Sequence, residues 1–383
     1  MLEKKSCTGC SACISICSQN CIKLILDENG FSQPQLETLN CMDCGLCEEI
    51  CPVLNKLELA EEQPKAFAAW SCDSEIRANS SSGGIFSELV KEVLAQGGAV
   101  LGAAYDENFV VKHICIETEE DLFKLRGAKY AQSDLGNSFI EIRNRLKNNQ
   151  KVLFSGTPCQ VAGLKSFLKK DYDNLICVDF VCHGVPSPMA WKEYVKYRSQ
   201  IDSSGQIPKK INLRSKKSGW SRYRYSNLYE YPDGNAYTAL SGNDLYMKLF
   251  VGDYISRESC SDCQFKGYSR VSDITLGDFW GIWDIAPEMD DDQGTSLVLV
   301  QSEKGRKIFS EITDTICSKE MTLQQASMQN PSLLESSPAK ANRQEVLDMI
   351  REGRIGELEN LFPKPQKEKM SLLRRIARKV TGC

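Results

Sequence analysis

CTGCSACISIC, residues 7–17, places Cys7, Cys10, Cys13 and Cys17 within eleven positions, before the chain has had the length to build a core. The same spacing returns as Cys41, Cys44, Cys47 and Cys51, each thiol displaced by 34 positions from its counterpart. Between the copies, CIKLILDENGFSQPQ (residues 21–35) carries a β-rich run into Asn29-Gly30, a type I′ turn signal. A hairpin joining two equivalent halves is predicted.

A C-x2-C-x2-C-x3-C run met twice, the second followed by Pro52, is similar to the spacing with which bacterial ferredoxins hold two 4Fe-4S clusters. Three closely spaced thiolates wrap one cube, and the fourth of each run ligates the other cube. Cys7, Cys10, Cys13 and Cys51 are therefore expected to hold one cluster, and Cys41, Cys44, Cys47 and Cys17 the other. Zinc is the competing reading, but it usually takes two separated C-x2-C pairs rather than an uninterrupted run of four. Ser18 stands where a proline is usual after Cys17, and Cys21 is an extra thiol.

The rest of the composition sets bounds. The chain has 383 residues, a net charge of -4 and a pI near 5.6, an acidic balance that argues against a nucleic-acid partner. No apolar run reaches the length of a membrane span and the first residues carry no secretory h-region, so the cytoplasm is the expected address. In a reducing compartment 18 cysteines point to metal ligation or catalysis rather than to disulfides.

Beyond Pro52 a polar stretch ends at Pro64, and from there strand and helix patterns alternate. SGGIFSELVKEVLAQGG has helical periodicity; AVLGAAYD and VVKHICIE read as strands, and Thr118-x-x-Asp121 resembles a capping box. KVLFSG, CQVAGLKSFLKK and LICVDFVC read as strand, helix and strand, a βαβ order with parallel pairing. RYRYSNLYEYPDGNAYTAL reads as a hairpin about Asp233-Gly234, which would make the sheet mixed.

Four further cysteines invite a site. Cys260 and Cys263 form CSDC, while Cys159 in FSGTPCQVAG and Cys182 in VDFVCHGVPSP each follow a buried strand. Ligands at the carboxyl ends of neighbouring strands converge on one crevice. Spacing alone leaves a third cluster, a zinc knuckle and plain buried thiols open.

SSGGIFSEL, RGAKYAQSDLG, FSGTPCQVAGLK, VDFVCHGVPSP and CSDCQFKGYSRVSDITLGDFWG, in that order, resemble the coenzyme F420 hydrogenase/dehydrogenase beta-subunit family, with a two-cluster ferredoxin domain fused in front. The resemblance implies an iron-sulfur flavoprotein with FAD beside a third 4Fe-4S cluster ligated by Cys159, Cys182, Cys260 and Cys263. It implies an α/β protein: an α+β ferredoxin-like cluster domain (residues 1–58), a linker (59–66), a mixed-sheet α/β flavin-binding domain (67–335) and a helical C-terminal extension with a basic tail (336–383). Expected partners are ferredoxin or another redox protein and a small-molecule hydride acceptor or donor, a deazaflavin being one. Chains of this build also resemble reductases of bacterial cell-surface polysaccharide assembly, and an electron-relay subunit without its own substrate is the other alternative.

In NSSSGG, Ser81 or Ser82 is positioned to cap the helix that follows, and Gly83-Gly84 would let a pyrophosphate approach free backbone N–H groups. An ordinary capped helix explains the same residues, and the resemblance favours the flavin. Arg126 and Lys129 can meet phosphates and Tyr130 offers a stacking face, against a solvated charge pair. Gly156, Thr157 and Pro158, between a strand and Cys159, are a natural seat for the isoalloxazine. His183 reads as a hydrogen-bonding neighbour of the cluster ahead of a proton donor, and His113 as structural. PKKINLRSKKSGWSRYRY (208–225) carries Lys209, Lys210, Arg214, Lys216, Lys217, Arg222 and Arg224 among aromatics. A solvated hairpin ranks first there, an anionic substrate or cofactor tail second and nucleic acid a distant third. SLLRRIARKV (371–380) could touch an anionic membrane surface, although a tail or partner contact ranks ahead.

Overall fold

A computed structural model of the protein describes residues 3–362; the basic stretch SLLRRIARKV lies outside the described residues. Strands β1 (Ile22–Leu26) and β2 (Ser32–Leu36) pair antiparallel as the hairpin between the two cysteine runs. Its turn is not type I′. Gly30 alone has positive φ (79°), its N–H donates to Asp27 O, and the Asp27 carboxylate accepts from the N–H groups of Asn29 and Phe31. The aspartate side chain has taken over the turn that the Asn-Gly pair suggested.

The main sheet is mixed. It contains β3 (Lys65–Ser71), β4 (Ala99–Tyr105), β5 (Val111–Ile116), β6 (Val152–Ser155) and β7 (Leu175–Phe180). After an interruption by β8 (Lys210–Ser215), β9 (Ser226–Glu230) and β10 (Ala236–Leu240), it resumes with β11 (Ile274–Asp278), β12 (Ser296–Val300) and β13 (Ile316–Met321). The order is β13-β3-β12-β11-β7-β6-β4-β5, with β11, β7, β6 and β4 parallel and the outer pairs antiparallel. The Asp233-Gly234 hairpin is present as β9 and β10, but it joins β8 in a separate three-stranded sheet. The mixed character of the main sheet therefore comes from β3, β5, β12 and β13.

Both faces of the sheet are covered, and the strand residues alternate accordingly. Leu153, Ile176, Val178 and Val298 pack with Leu89, Val93, Ile308 and Phe309 of the helices Ile85–Ala95 and Glu303–Glu311. Val152, Phe154 and Leu175 face the other way, onto Phe139, Val161 and Leu164 of the helices Ser138–Lys147 and Pro158–Leu168. Cys10, Ala12 and Ile50 belong to that second core, so the N-terminal cysteine segment is packed into the α/β body. The helix Arg343–Arg351 contributes Val346, Leu347 and Ile350 to a third core with Trp191 and Tyr194 of the helix Pro188–Ser203. A short 3-10 turn follows Thr118 as expected, but the Thr118 side chain makes no cap hydrogen bond.

Candidate redox site

The helix Pro158–Leu168 begins at the carboxyl end of β6, with Thr157 as its cap. Thr157 N–H donates to Gln160 Oε1 (3.0 Å) while Thr157 Oγ1 accepts from Gln160 N–H (3.4 Å), a reciprocal capping box that fixes the first turn. Cys159 therefore emerges at a defined angle, its Sγ 3.1 Å from Thr157 Oγ1. Cys182 follows β7, Cys260 lies within the 3-10 turn Glu258–Asp262 and Cys263 directly follows it. Burial pushes the Cys159, Cys182 and Cys260 thiols up to about 12, and neighbouring thiols add to the rise: Cys182 and Cys263 for Cys159, Cys260 and Cys263 for Cys182, Cys159 and Cys263 for Cys260. The four thiols are thus electrostatic neighbours, and of them Cys159 and Cys182 line the crevice at the strand ends. Arg257 beside Cys159 and Cys260, and Lys266 and Arg270 beside Cys182, oppose the rise. Val185 N–H donates to Cys260 Sγ (3.4 Å), and Lys266 Nζ is bonded to the Cys182 carbonyl. A site of thiolates backed by cations and an N–H···S bond suits an anionic iron-sulfur core.

Cys7, Cys10, Cys13 and Cys51 of the N-terminal thiols are brought together, whereas Cys17 lies beside Cys21. Cys7, Cys10, Cys13, Cys47 and Cys51 line one small cavity, so Cys47, expected in the other set, is found beside the first. Burial raises the Cys13 thiol to about 12, with Cys7, Cys51 and then Cys47 adding, and Cys10 rises through burial with Cys13, Cys159 and Cys7 beside it. Cys41 and Cys44 are exposed, and burial followed by the nearby Glu48 raises Cys47. The extra thiol, Cys21, donates to Asn40 O (3.2 Å) and bonds the segment just before Cys41. Gly9 N–H and Asp43 N–H each donate to a cysteine two residues earlier, Cys7 and Cys41, at 3.4 Å. Among the described residues no three or more His, Cys, Asp or Glu groups gather tightly enough for a single metal ion.

A cleft of about 900 Å³ opens over the carboxyl ends of β6, β7 and β11, near the upper end of the ~300–1,000 Å³ range of ligand pockets. Ser81, Ser82, Gly84, Arg126, Lys129, Tyr130, Gly156 and Thr157 all line it, as do Cys159, Cys182 and His183. Gly83 and Pro158 do not. Gly83 is required because a Cβ there would stand 2.3 Å from Ala69 O, and its N–H is taken by Ser296 Oγ (3.0 Å). Pro158 is buried at the first helical position, where its fixed φ suits the helix start. Neither serine caps the helix Ile85–Ala95: the cap is Gly84 at φ 90°, a conformation open to glycine, and no side chain covers the first-turn N–H groups.

The residues expected to meet phosphates have partners that the sequence did not show. Lys129 Nζ donates to the carbonyls of Leu125 (2.9 Å), Arg126 (2.7 Å) and Gly127 (3.2 Å), clamping its own loop, and burial lowers its ammonium to about 7. Arg126 is tied by Nε to Ser87 Oγ (3.0 Å), and Tyr130 packs its ring on Phe250 at 5.1 Å. His183 Nε2 lies 2.9 Å from Asp253 Oδ1 and Nδ1 lies 3.3 Å from Ser332 Oγ. His113 rests on Phe154 with Nε2 3.0 Å from Ser155 O, and burial holds its ring near 4, hence neutral.

The basic stretch is not a solvated hairpin throughout. Arg214 is only 5% exposed, forms a two-pronged pair with Asp278 (2.6 and 2.9 Å) and lies under Tyr225 and Trp280. Trp220 is fully buried, and Arg214 and Arg222 line the cleft. Arg257, 3% exposed, was absent from the sequence reading: it donates to Cys7 O (2.7 Å), Ser32 O (3.0 Å) and Gln132 Oε1 (3.2 Å), joining the first thiol set to the third. Its position three residues before Cys260 was the available signal.

Residues 6–55 match a 4Fe-4S dicluster domain, residues 66–139 the N-terminal part of the coenzyme F420 hydrogenase/dehydrogenase beta subunit, and residues 149–325 its C terminus. The chain belongs to the coenzyme F420 hydrogenase/dehydrogenase beta-subunit family. It is 21% identical over 347 residues, 80% of this chain and 86% of the relative, to an uncharacterized protein of Methanocaldococcus jannaschii. It is also similar to a chain of the F420-reducing NiFe hydrogenase complex from Methanosarcina barkeri, at 18% identity and a TM-score of 0.47, covering 80% of this chain and 94% of that one. As a member of this family carrying a dicluster domain, the chain is an iron-sulfur protein with a redox role. No helix among the described residues is long and apolar enough to cross a membrane.

Proposed function

We propose that this beta-subunit relative is an iron-sulfur flavoprotein oxidoreductase with three 4Fe-4S sites and one FAD, exchanging electrons between a one-electron redox protein and a small-molecule hydride acceptor or donor. In this reading Cys7, Cys10, Cys13 and Cys51 hold the inner ferredoxin cluster, Cys41, Cys44, Cys47 and Cys17 the outer one, and Cys159, Cys182, Cys260 and Cys263 the third. When bound, the clusters would carry electrons singly and the flavin would convert them to hydride pairs.

The observation that carries the reading is the continuity of thiols with the cleft. Cys159 and Cys182 line the cleft, Cys10 adjoins Cys159, and Cys41 and Cys44 are exposed. Thr8, between Cys7 and Cys10, lines both the first thiol cavity and the cleft. The chain's own residues hold this geometry: Thr157 orients Cys159, Arg257 binds the first segment to the third thiol set, and Gly156 and Thr157 shape the floor.

The cleft favours a catalytic subunit over a pure relay, because a relay needs no room of this size beside the redox centre. Arg222, Lys248 and Tyr225 line it along with the serine loop and would suit an acidic, aromatic substrate such as a deazaflavin. The division at residues 58, 66 and 335 belongs to the same proposal. The test is anaerobic mixing of the reconstituted protein with reduced ferredoxin, reduced deazaflavin or NADH. Flavin reduction by reduced ferredoxin should occur and should fail in C260A; reduction that survives C260A equally well refutes the assigned route.

A further inference from the structure

Lys216, from the basic stretch, does not line the cleft, yet it controls a loop that does. Its Nζ donates to Arg77 O (2.5 Å) and Ser82 O (2.6 Å). Arg214 Nη2 donates to Ser81 O (3.4 Å), Ser82 Oγ donates to Thr295 O (3.0 Å) and Gly83 N–H to Ser296 Oγ (3.0 Å). The Ser81–Gly83 backbone is thus held on one side by the Lys216 and Arg214 side chains and on the other by the loop before β12. Gly294, at φ 108°, allows the approach: a Cβ there would lie 2.8 Å from Ser82 O and 3.0 Å from Lys216 Nζ.

This restraint has an electrostatic consequence. Peptide planes are rigid, so turning the Ser81 carbonyl toward a cation turns the Ser82 N–H the opposite way. The helix Ile85–Ala95 begins at Gly84 without a side-chain cap, so its first N–H groups have no intrahelical acceptor, and Ser80–Ser82, Gly84, Ile85 and Phe86 line the cleft. Arg214, buried beside them, has an Nε–H with no partner. Were the Ser82 carbonyl free to swing inward, its oxygen would repel any phosphate docked on that turn.

We infer that Lys216 is a positioning residue for the anionic end of the group bound in the cleft, holding the Ser82 carbonyl away and leaving the N-terminal turn of the Ile85–Ala95 helix open to a pyrophosphate. The inference rests on the FAD reading of the cleft. It assigns the basic stretch a cofactor-retaining role through a residue that need not touch the cofactor.

The test compares flavins with and without phosphates. The deflavinated protein, clusters intact, is titrated with FAD and with lumiflavin, for the natural chain and for K216M, K216Q and K216R. Loss of the two-pronged Nζ clamp should weaken FAD roughly tenfold in K216M and K216Q while lumiflavin binding stays unchanged, and K216R should recover most of the loss. K216Q keeps an N–H donor and guards against a misfolded K216M, with iron content and circular dichroism checking both. Equal weakening of FAD and lumiflavin, or unchanged FAD affinity in a folded variant, overturns the inference. A natural chain that binds neither flavin refutes the FAD reading itself, and one that binds both alike shows that no phosphate grip exists.

Discussion

Cys10 lies against Gly163 so closely that a Cβ on the glycine would come 2.9 Å from the Cys10 Sγ. Gly163 is four residues beyond Cys159 in the helix Pro158–Leu168, so both sit on one helix face. One helix therefore carries a cysteine of the third thiol set and the contact surface of the first. In an exposed helix, glycine to alanine would gain up to ~1 kcal/mol of propensity, whereas overpacking a tight contact costs ~1–3 kcal/mol. G163A should be net destabilising, and G163V more so, with slower flavin reduction by an external one-electron donor under anaerobic stopped flow. A stabilised G163A with unchanged electron transfer would show that the contact does not couple the two sites.

The three thiol sets make separable predictions about iron. C44S should lower the content by about four irons and leave the Cys159 set loaded, while C260A should remove about four from the other end. Electron paramagnetic resonance of the reduced protein should lose a different signal in each. Identical spectra would contradict the grouping.

Arg214 and Asp278 form a buried pair at the cleft wall. Removing only the carboxylate in D278A would leave a buried unpaired guanidinium, a change that costs ~3–5 kcal/mol, whereas R214M/D278L should be much milder. Chemical denaturation of the two variants should show that order.

Lys129 gives a pH signature. Burial lowers it to about 7, against about 10.4 in an unfolded chain, so between those values the unfolded state binds more protons and stability rises with pH. Denaturation midpoints should climb across that window, and K129M should flatten the climb. An unchanged slope in K129M would mean that the ammonium is not buried as described.

Much of this was written in local sequence. The cysteine spacing, the strands at KVLFSG and LICVDFVC and the helix between them depend on neighbours in the chain, and the thiols at strand ends meet where open α/β sheets gather ligands. What stayed hidden depends on distant partners. Arg214 reads as a solvated cation until Asp278, 64 residues away, is seen beside it. The β9–β10 hairpin was legible, but its choice of β8 over the main sheet was not. Ser81 and Ser82 looked like caps because serine commonly caps; the left-handed Gly84 took that position and freed the loop for the cleft.

Three sets of four thiols and one cleft are proposed to hold redox groups at the same time. Counting iron, acid-labile sulfide and flavin per chain in protein prepared without oxygen tests it most directly. The account expects about twelve irons, about twelve sulfides and about one FAD, from three four-iron cubes. Material with about eight irons and no flavin, or with zinc in place of iron, would contradict it.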